Sequence, residues 1–340
     1  MLQTREHRVG GVVSALELTD VEVVYQRRHR SPVRAVAGAS ISVEQGQIVG
    51  LVGESGCGKS TLARAAVGLV APTAGTVMFQ GRPVTPLGRR SRSAELARLQ
   101  MVFQDPMSSL NPRRTVGSQL ADALDNLDLV PRAQRTARVT ELLEQVGLSA
   151  TARGRYPHQF SGGQRQRIAI ARALAAEPSV IVLDEPLSAL DASAQAQVAN
   201  LLVQLCRSLN IGMLLISHDL AIVNQIADEV AVMYLGLIVE QAPTGELWRS
   251  PRHPYTEALI GAIPHADGLK SQPTILPGEV PDPAAPPAGC RFHTRCPLVF
   301  DRCRTEVPPL VSVEPGRTQA CWLQRTGDAG EPVVASVESV

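Results

Sequence analysis

The 340-residue chain is poor in aromatic residues and carries no marked excess of charge of either sign. Phe, Trp and Tyr together make up 3% of the sequence, and the formal net charge is +1. A dedicated nucleic-acid-binding protein normally has a strong basic excess or a basic stripe, so no nucleic-acid partner is expected. The hydrophobic fraction of 44% and the charged fraction of 19% are those of an ordinary globular protein and argue against whole-chain disorder.

Long hydrophobic runs are also missing. The first residues, MLQTREHRVG, are polar and charged, and no long apolar stretch follows them, so we expect no signal peptide. Apolar runs such as IVGLVG at 48–53 and GMLLIS at 212–217 are much shorter than the roughly 18 residues that suggest a membrane span. If the protein works at a membrane, partner subunits must supply the membrane part.

Strand and helix patterns alternate along most of the chain, which predicts an α/β fold with a mainly parallel sheet. Short, continuous apolar runs such as IVGLVG and VIVLD are typical of strands that are covered on both faces. Residues 94–178 are mostly helical in pattern and form a candidate inserted lobe. We therefore predict an N-terminal tail at 1–14, a main domain at 15–245 with a helical subdomain at about 105–178, a small cysteine-containing C-terminal extension at 246–325 and a flexible tail at 326–340.

A phosphate-binding loop is predicted between the strand at 48–53 and the helix that follows. Its sequence, GESGCGKS, fits the pattern G-x-x-x-x-G-K-[ST], in which backbone N–H groups and a helix start face phosphate oxygens. We expect Lys59 to reach the β- and γ-phosphates of a nucleotide and Ser60 to bind Mg²⁺. The predicted nucleotide-binding residues of this segment are Gly53, Glu54, Ser55, Gly56, Cys57, Gly58, Lys59, Ser60 and Thr61.

An acidic pair follows the predicted strand VIVLD. Asp184 can hold Mg²⁺ directly or through water, and Glu185 can polarise a water molecule that attacks the nucleotide. Such a pair alone is weak evidence, but together with the phosphate loop it favours a nucleotide hydrolase. The chain contains a single phosphate loop, so we expect a single nucleotide-binding domain.

Further motifs follow in a fixed order along the chain. Gln104 in MVFQD is followed by the segment SGGQ at 161–164, then by VIVLDEP, and then by His218 in LLISHD. With this order and spacing, residues 16–245 resemble the ATP-binding subunits of ABC transporters. The resemblance implies a P-loop NTPase of RecA-like fold with an inserted helical subdomain.

The resemblance also implies roles for individual residues. Lys59, Glu185 and His218 would be catalytic, with Glu185 as general base and His218 holding the γ-phosphate. Gln104 would sense the γ-phosphate and join Ser60 and Asp184 at Mg²⁺. Tyr25 would stack on adenine, and an ordinary strand aromatic is the alternative. The implied signature, which completes the ATP site of a second ATPase, is Ser161, Gly162, Gly163 and Gln164, and the implied D-loop is Ser188, Ala189, Leu190 and Asp191.

Within this family the chain is similar to the ATPases of oligopeptide and dipeptide importers, a branch that includes nickel importers. The similarity lies in FQDPMSSLNPRRTVG at 103–117 and HPYTEAL at 253–259. It implies a second ATPase subunit, with a heterodimer favoured, two transmembrane permease subunits and an extracytoplasmic substrate-binding protein. The chain would then lie peripherally on the cytoplasmic face of the cell membrane. Import of nickel or another small solute, and a non-transport ABC ATPase, are the alternatives.

Four of the six cysteines, Cys290, Cys296, Cys303 and Cys321, cluster near the C-terminus. No pair has the close C-x₂₋₄-C spacing that is usual in structural zinc sites. Four thiolates can hold a [4Fe–4S] cluster, and the family resemblance suggests one here. Zinc and ligand-free cysteines remain alternatives, and His293 could replace one ligand.

Overall fold

The computed structural model describes residues 14–28, 30–88, 92–127, 130–263, 278–324 and 333–334. Apart from Ser14 and the pair at 333–334, the predicted tails at 1–14 and 326–340 lie outside the described residues.

The described chain alternates between strands and helices. The strands are β1 Leu16–Arg27, β2 Arg30–Val43, β3 Ile48–Val52, β4 Ala74–Phe79, β5 Arg82–Pro83, β6 Leu99–Val102, β7 Val180–Asp184, β8 Gly212–Ser217, β9 Glu229–Tyr234, β10 Leu237–Pro243, β11 Val311–Glu314, β12 Arg317–Gln319, β13 Leu323–Gln324 and β14 Val333–Val334. The α-helices are α1 Lys59–Ala66, α2 Pro106–Ser109, α3 Val116–Leu127, α4 Arg135–Gln145, α5 Gly162–Leu174, α6 Ala192–Leu209, α7 Leu220–Ile226, α8 Thr244–Arg249, α9 Pro254–Gly261 and α10 Asp301–Thr305. In the ranges described, none of these helices has both the length and the apolar character needed to cross a bilayer.

A central eight-stranded sheet has the order β11-β12-β10-β9-β3-β8-β7-β6. Strand β3 runs parallel to β8 and β9, and β7 runs parallel to β6 and β8. Every residue of β3, β7 and β8 is buried. The predicted α/β fold with a mainly parallel sheet is therefore confirmed.

The central sheet is buried because its two faces pack against different layers. Successive side chains of a strand point to opposite faces. Ile48 and Val52 of β3 pack into a core with the helices of the inserted lobe. Val49 and Leu51 pack into a second core with α1 and a four-stranded antiparallel sheet of order β2-β1-β4-β5. Both faces thus exclude water. The carboxyl ends of the parallel strands are therefore the part of the sheet where a functional site can form.

The structure corrects one detail of the sequence interpretation. Leu99–Val102, within the segment described as mostly helical, is strand β6 and pairs with β7. A four-residue apolar run has no periodicity that separates a strand from a helix. Gly75 lies in β4 with φ of 78°. A side chain there would lie 2.2 Å from the Asp20 carbonyl oxygen, so the position requires glycine.

The C-terminal extension is built into the central sheet. Strand β12 pairs with β10, and β11 pairs with β12. The carboxylate of Glu240, which is 0% exposed, accepts hydrogen bonds from Arg317 Nη2 at 2.8 Å and from the backbone N–H of His253 at 2.9 Å. A buried carboxylate needs such donors to offset its lost hydration. Glu240 therefore fastens the extension to the main domain.

We expect Glu240→Ala to destabilise the protein by about 3–5 kcal/mol, because it leaves the Arg317 charge buried without its partner. Chemical denaturation of the purified full chain measures this. The matched control is Glu95→Ala, which removes a surface ion pair between Arg82 and Glu95. An unchanged midpoint for Glu240→Ala would contradict the assigned role.

Candidate functional site

The phosphate loop joins β3 to α1, and its shape requires glycine at two positions. Gly53 has φ of 151°, and a Cβ there would lie 2.1 Å from the Met233 carbonyl oxygen. Gly58 has φ of 111°, and a Cβ there would lie 2.2 Å from the Ala35 carbonyl oxygen. Backbone contacts this close leave no room for a side chain. The loop is therefore pressed against the neighbouring strands β2 and β9.

Lys59, the first residue of α1, is buried inside this loop. Its side chain is 4% exposed, and Nζ donates to the carbonyl oxygens of Gly53 at 2.7 Å and Glu54 at 2.9 Å. Nζ also lies 3.7 Å from Cys57 Sγ, and burial raises the pKa of that thiol. The ammonium group is thus held at the centre of the loop by the loop itself.

Ser60 and Asp184 meet where α1 passes the end of β7. Ser60 Oγ donates to Asp184 Oδ1 at 2.8 Å. Burial raises the pKa of Asp184, while the Ser60 hydrogen bond and the charge of Arg64 oppose that shift. A hydroxyl beside a carboxylate is a donor set that Mg²⁺ prefers. These two predicted metal ligands are therefore brought together, and they fit the ion.

Gln104 and His218 converge on Glu185 rather than on the Ser60–Asp184 pair. Gln104 Nε2 donates to Glu185 Oε2 at 3.0 Å, and His218 Nδ1 lies 3.2 Å from the same oxygen. The Glu185 side chain is 17% exposed and that of His218 is 57% exposed. Glu185 has φ of 47°, a conformation that is uncommon for a residue with a side chain. The left-handed turn follows directly on β7, so the two acidic side chains have different partners.

The signature segment forms the start of α5. Ser161 Oγ accepts from Gln164 N at 3.3 Å, and Gln164 Oε1 accepts from Ser161 N at 3.1 Å, which together make a capping box. Among the residues that the structure describes, no hydrogen bond joins this segment to the phosphate loop of the same chain. Ser161, Gly162 and Gln164 are exposed, whereas Gly163 is half-buried.

The D-loop lies against the signature segment. A Cβ on Gly162 would be 3.4 Å from Leu190 Cδ2, so the two segments are in van der Waals contact. Asp191 caps α6 by accepting from Ala194 N at 2.9 Å. Ser188 and Ala189 are exposed. The signature and the D-loop therefore form one continuous surface.

The remaining predicted nucleotide contacts vary in exposure. Tyr25 of β1 is 40% exposed, as a stacking platform would have to be. Ser55 and Gly56 at the tip of the loop are exposed, and Thr61 is half-buried. Access to these positions is consistent with a ligand at the loop.

Two residues that touch the phosphate loop were missed by sequence reasoning, and both lie in the C-terminal extension. Tyr255 Oη accepts from Glu54 N at 2.9 Å. The Arg295 guanidinium binds the Glu54 carboxylate, with Nη1 to Oε2 at 2.7 Å. Tyr255 belongs to the segment HPYTEAL, so that motif was a usable signal. Arg295 is separated from Glu54 by 241 positions, and no local pattern marks it.

The four C-terminal cysteines line one small cavity of about 10 Å³, together with His293 and Trp322. All six cysteines of the chain are described, and none forms a disulfide. Burial, with a smaller contribution from the neighbouring cysteines, raises the pKa of Cys290 to about 12 and that of Cys321 to about 11. In the described ranges, no group of three or more His, Cys, Asp or Glu side chains is arranged to hold a metal ion.

Comparison with known proteins identifies the family. The family model for ABC transporters matches residues 36–188, and the model for the oligopeptide/dipeptide transporter C-terminal region matches residues 239–303. A probable peptide ABC transporter ATP-binding protein of Sinorhizobium fredii, y4tS, is 52% identical over 86% of this chain and 83% of its own length. The chain belongs to the ATP-binding proteins of ABC transporters. The resemblance noted from the motifs is confirmed, and the protein is an ABC-type ATPase.

Other relatives of this ABC ATPase support the same family assignment. The oligopeptide transport ATP-binding protein AppF of Bacillus subtilis is 44% identical over 91% of this chain and 97% of its own length. Among solved structures, cbiO1 from Clostridium perfringens superposes with a TM-score of 0.61 at 26% identity, covering 70% of this chain and 91% of cbiO1. The ATP-binding cassette MJ0796, in a dimeric structure bound to ADP and Pi, gives a TM-score of 0.60 at 26% identity, over 67% of this chain and 98% of its own.

The Ser60–Asp184 pair predicts a pH-dependent stability effect. Because burial raises the pKa of Asp184 in the folded protein, its charged form costs stability, and that cost appears as the pH rises through the carboxyl range. We expect Asp184→Asn to unfold at a higher temperature than the wild-type protein at pH ~7, with the difference shrinking towards pH ~4.

Thermal unfolding without nucleotide or Mg²⁺ tests this expectation. Asp122→Asn, at an exposed position paired with Arg114, is the control and should show no such pH-dependent gain. A lower melting temperature for Asp184→Asn at pH ~7 would contradict it.

Proposed function

We propose that this ABC ATPase powers the import of oligopeptides or dipeptides across the cytoplasmic membrane. The observation that carries the proposal is the C-terminal match at 239–303 to a region of oligopeptide/dipeptide transporters. It is supported by relatives named for peptide and oligopeptide transport. Import of nickel or another small solute, and non-transport work, are alternatives that the experiment below separates.

In the proposed mechanism the phosphate loop binds the nucleotide. Lys59 would exchange the carbonyl oxygens of Gly53 and Glu54 for the β- and γ-phosphate oxygens, which carry more negative charge. Ser60, Asp184 and Gln104 would hold Mg²⁺, which supplies positive charge beside the phosphate oxygens. Gln104 would have to turn from Glu185 towards the Ser60–Asp184 pair to take part.

Glu185 is the proposed general base. Its Oε2 is the shared neighbour of Gln104 and His218, so its position is controlled from two sides. The carboxylate would accept a proton from the attacking water, while His218 would hold the γ-phosphate. Gln104 donates a hydrogen bond directly to Glu185. A movement of the helical lobe that shifts Gln104 would therefore also shift the carboxylate of Glu185.

A second ATPase subunit completes the proposed site. The start of α5 and the D-loop form an exposed surface in this chain, and a helix start attracts phosphate. We propose that this surface closes over the ATP of a partner, with a heterodimer favoured. MJ0796, a cassette of the same fold, has a dimeric structure bound to ADP and Pi.

The proposed permease contact is a cavity of about 440 Å³ beside the segment that follows Gln104. Mostly polar residues line it, and a short cytoplasmic helix of a permease subunit would fit such a groove. Its lining includes Gln100 and Ser109, which lie on either side of Gln104 in the sequence, and we propose that this connection gives a route from the membrane part to Glu185. Two permease subunits and an extracytoplasmic binding protein complete the proposed importer, with this chain on the cytoplasmic face. The residues that line the cavity are Ala97, Gln100, Ser109, Asn111, Arg114, Gln119, Asp122, Ala123, Leu127, Arg172 and Ala176.

Glu185→Gln tests the hydrolytic role and the transport role together. We expect the purified variant to bind ATP with wild-type affinity and to hydrolyse it about 10²–10⁴-fold more slowly, because the general base is lost while the phosphate loop is intact. In cells that lack the native gene, the wild-type gene should restore uptake of labelled di- and oligopeptides, and the variant should not.

Glu246→Gln, a change of the same type in helix α8, is the matched control and should behave as wild type. Restored nickel uptake with no effect on peptides would replace the peptide proposal by the nickel alternative. If cells that lack the native gene take up all of these solutes normally, while the purified protein hydrolyses ATP, the transport role is rejected. Near-wild-type ATP hydrolysis by Glu185→Gln would reject the assignment of Glu185 as the general base.

We further propose that the four C-terminal cysteines hold a [4Fe–4S] cluster. The proposal is supported by their convergence on one buried cavity. Cys290, Cys296, Cys303 and Cys321 would supply the four thiolates that such a cluster takes as ligands. The cavity of about 10 Å³ is too small as it stands, so cluster binding requires the segment 290–303 to move outwards.

Anaerobic purification tests the cluster. We expect about four iron and four sulfide ions per chain and a broad visible absorption, all lost in Cys303→Ser. Cys206→Ser, at a buried cysteine of helix α6 away from the cavity, should keep them. Zinc in place of iron, or protein without any metal, would reject the proposal.

A further inference from the structure

The C-terminal extension makes a two-pronged ion pair with the phosphate loop. Arg295 Nη1 donates to Glu54 Oε2 at 2.7 Å, and Nη2 donates to Glu54 Oε1 at 3.0 Å. The Arg295 side chain is 5% exposed and that of Glu54 is 24% exposed. Such a fork-to-fork arrangement fixes direction as well as distance. A guanidinium from the far end of the chain therefore sets the orientation of a residue in the ATP site.

The backbone of Glu54 is held from the same side. Its N–H donates to the hydroxyl of Tyr255, which is completely buried. Its carbonyl oxygen accepts from Lys59 Nζ at 2.9 Å. One residue thus links the extension, through its side chain and N–H, to the lysine at the centre of the phosphate loop.

The negative charge of Glu54 is the reason why the Glu54–Arg295 ion pair affects nucleotide binding. A carboxylate beside an anion-binding loop repels phosphate, and the repulsion is strong where water is partly excluded. Arg295 removes most of that charge by pairing with both carboxylate oxygens. It also draws the carboxylate towards the extension.

Arg295 is in turn held by the cysteine-bearing segment. It lies next to Cys296, and its backbone N–H donates to the Phe292 carbonyl oxygen at 3.0 Å. The Phe292 ring lies 5.3 Å from the rings of both Tyr234 and Tyr255. The segment between Cys290 and Cys303 is also closed by a backbone hydrogen bond from Cys290 N to Cys303 O at 2.8 Å. The shape of this segment therefore decides where the guanidinium sits.

We propose that Arg295 is a positioning residue of the ATP site: it neutralises Glu54 and holds the phosphate loop ready for nucleotide, so that the cysteine-bearing segment governs ATP affinity. It does not touch the reacting atoms and acts through Glu54. Its loss should weaken binding of ATP and leave the chemistry at Glu185 unaltered.

Equilibrium binding of radiolabelled ATP with Mg²⁺ to the purified full chain provides the test. We expect Arg295→Ala to bind about tenfold more weakly, because it leaves the Glu54 charge unpaired. Arg295→Lys should recover part of the loss, since it restores charge without the fork. The double variant Glu54→Gln with Arg295→Ala should bind better than Arg295→Ala alone, because no uncompensated carboxylate remains.

The salt dependence of ATP affinity distinguishes an electrostatic effect of Arg295 from a packing defect caused by its removal. The loss in Arg295→Ala should shrink at high ionic strength, where the repulsion between Glu54 and phosphate is screened. Arg249→Ala, which removes an exposed arginine at the end of helix α8, outside the cysteine-bearing segment, is the matched control and should bind ATP as wild type. Unchanged affinity in Arg295→Ala would overturn the proposal, as would a double variant no better than the single one. Should Arg295→Ala fail to fold, the comparison of Arg295→Gln with Glu54→Gln/Arg295→Gln decides in the same way, because glutamine keeps a polar side chain at position 295 without its charge.

Discussion

Burial of the Lys59 ammonium group is the constraint around which the site is arranged. A buried cation must find oxygen ligands, or the protein loses the free energy of its hydration. The phosphate loop supplies two of its own carbonyl oxygens, and it can curl around the lysine only because Gly53 and Gly58 allow strands β2 and β9 to approach. Those strands are themselves held by the two cores on either face of the central sheet. The fold therefore places two carbonyl oxygens beside one positive charge, and in the proposed mechanism nucleotide phosphates would compete with them for that charge.

The sequence was sufficient to predict the parts of the site that are local. Gly53–Ser60 and the pair Asp184–Glu185 each occupy a few positions after a buried strand. Because parallel strands present their carboxyl ends at one edge, these short segments must lie near one another. The meeting of Ser60 with Asp184 follows from that rule. Strand β6 was missed because a run of four residues is too short to show a hydrophobic periodicity, so only its pairing with β7 reveals it.

Long-range polar pairs could not be predicted in the same way. Glu240 with Arg317 and Glu54 with Arg295 join positions 77 and 241 residues apart. Nothing in a window around either residue distinguishes it from the many solvated charges of the chain. Their partners are chosen by the way the extension adds β12 beside β10, which is a tertiary event. The direct bond of Gln104 to Glu185, rather than to the Ser60–Asp184 pair, is also a matter of side-chain direction that no spacing encodes.

The pairing of Glu54 with Arg295 has a consequence for the order in which the protein is made. A ribosome delivers the chain from its N-terminus, so the phosphate loop, the signature and His218 all leave the exit tunnel before Arg295 does. Until then Glu54 carries its charge unopposed. A nascent chain that ends before the cysteine-bearing segment thus has every predicted nucleotide motif and still lacks the guanidinium group that pairs with Glu54. Under the proposed role of Arg295, the full affinity for ATP is acquired only after residue 295 has been synthesised and its segment has packed beside the phosphate loop.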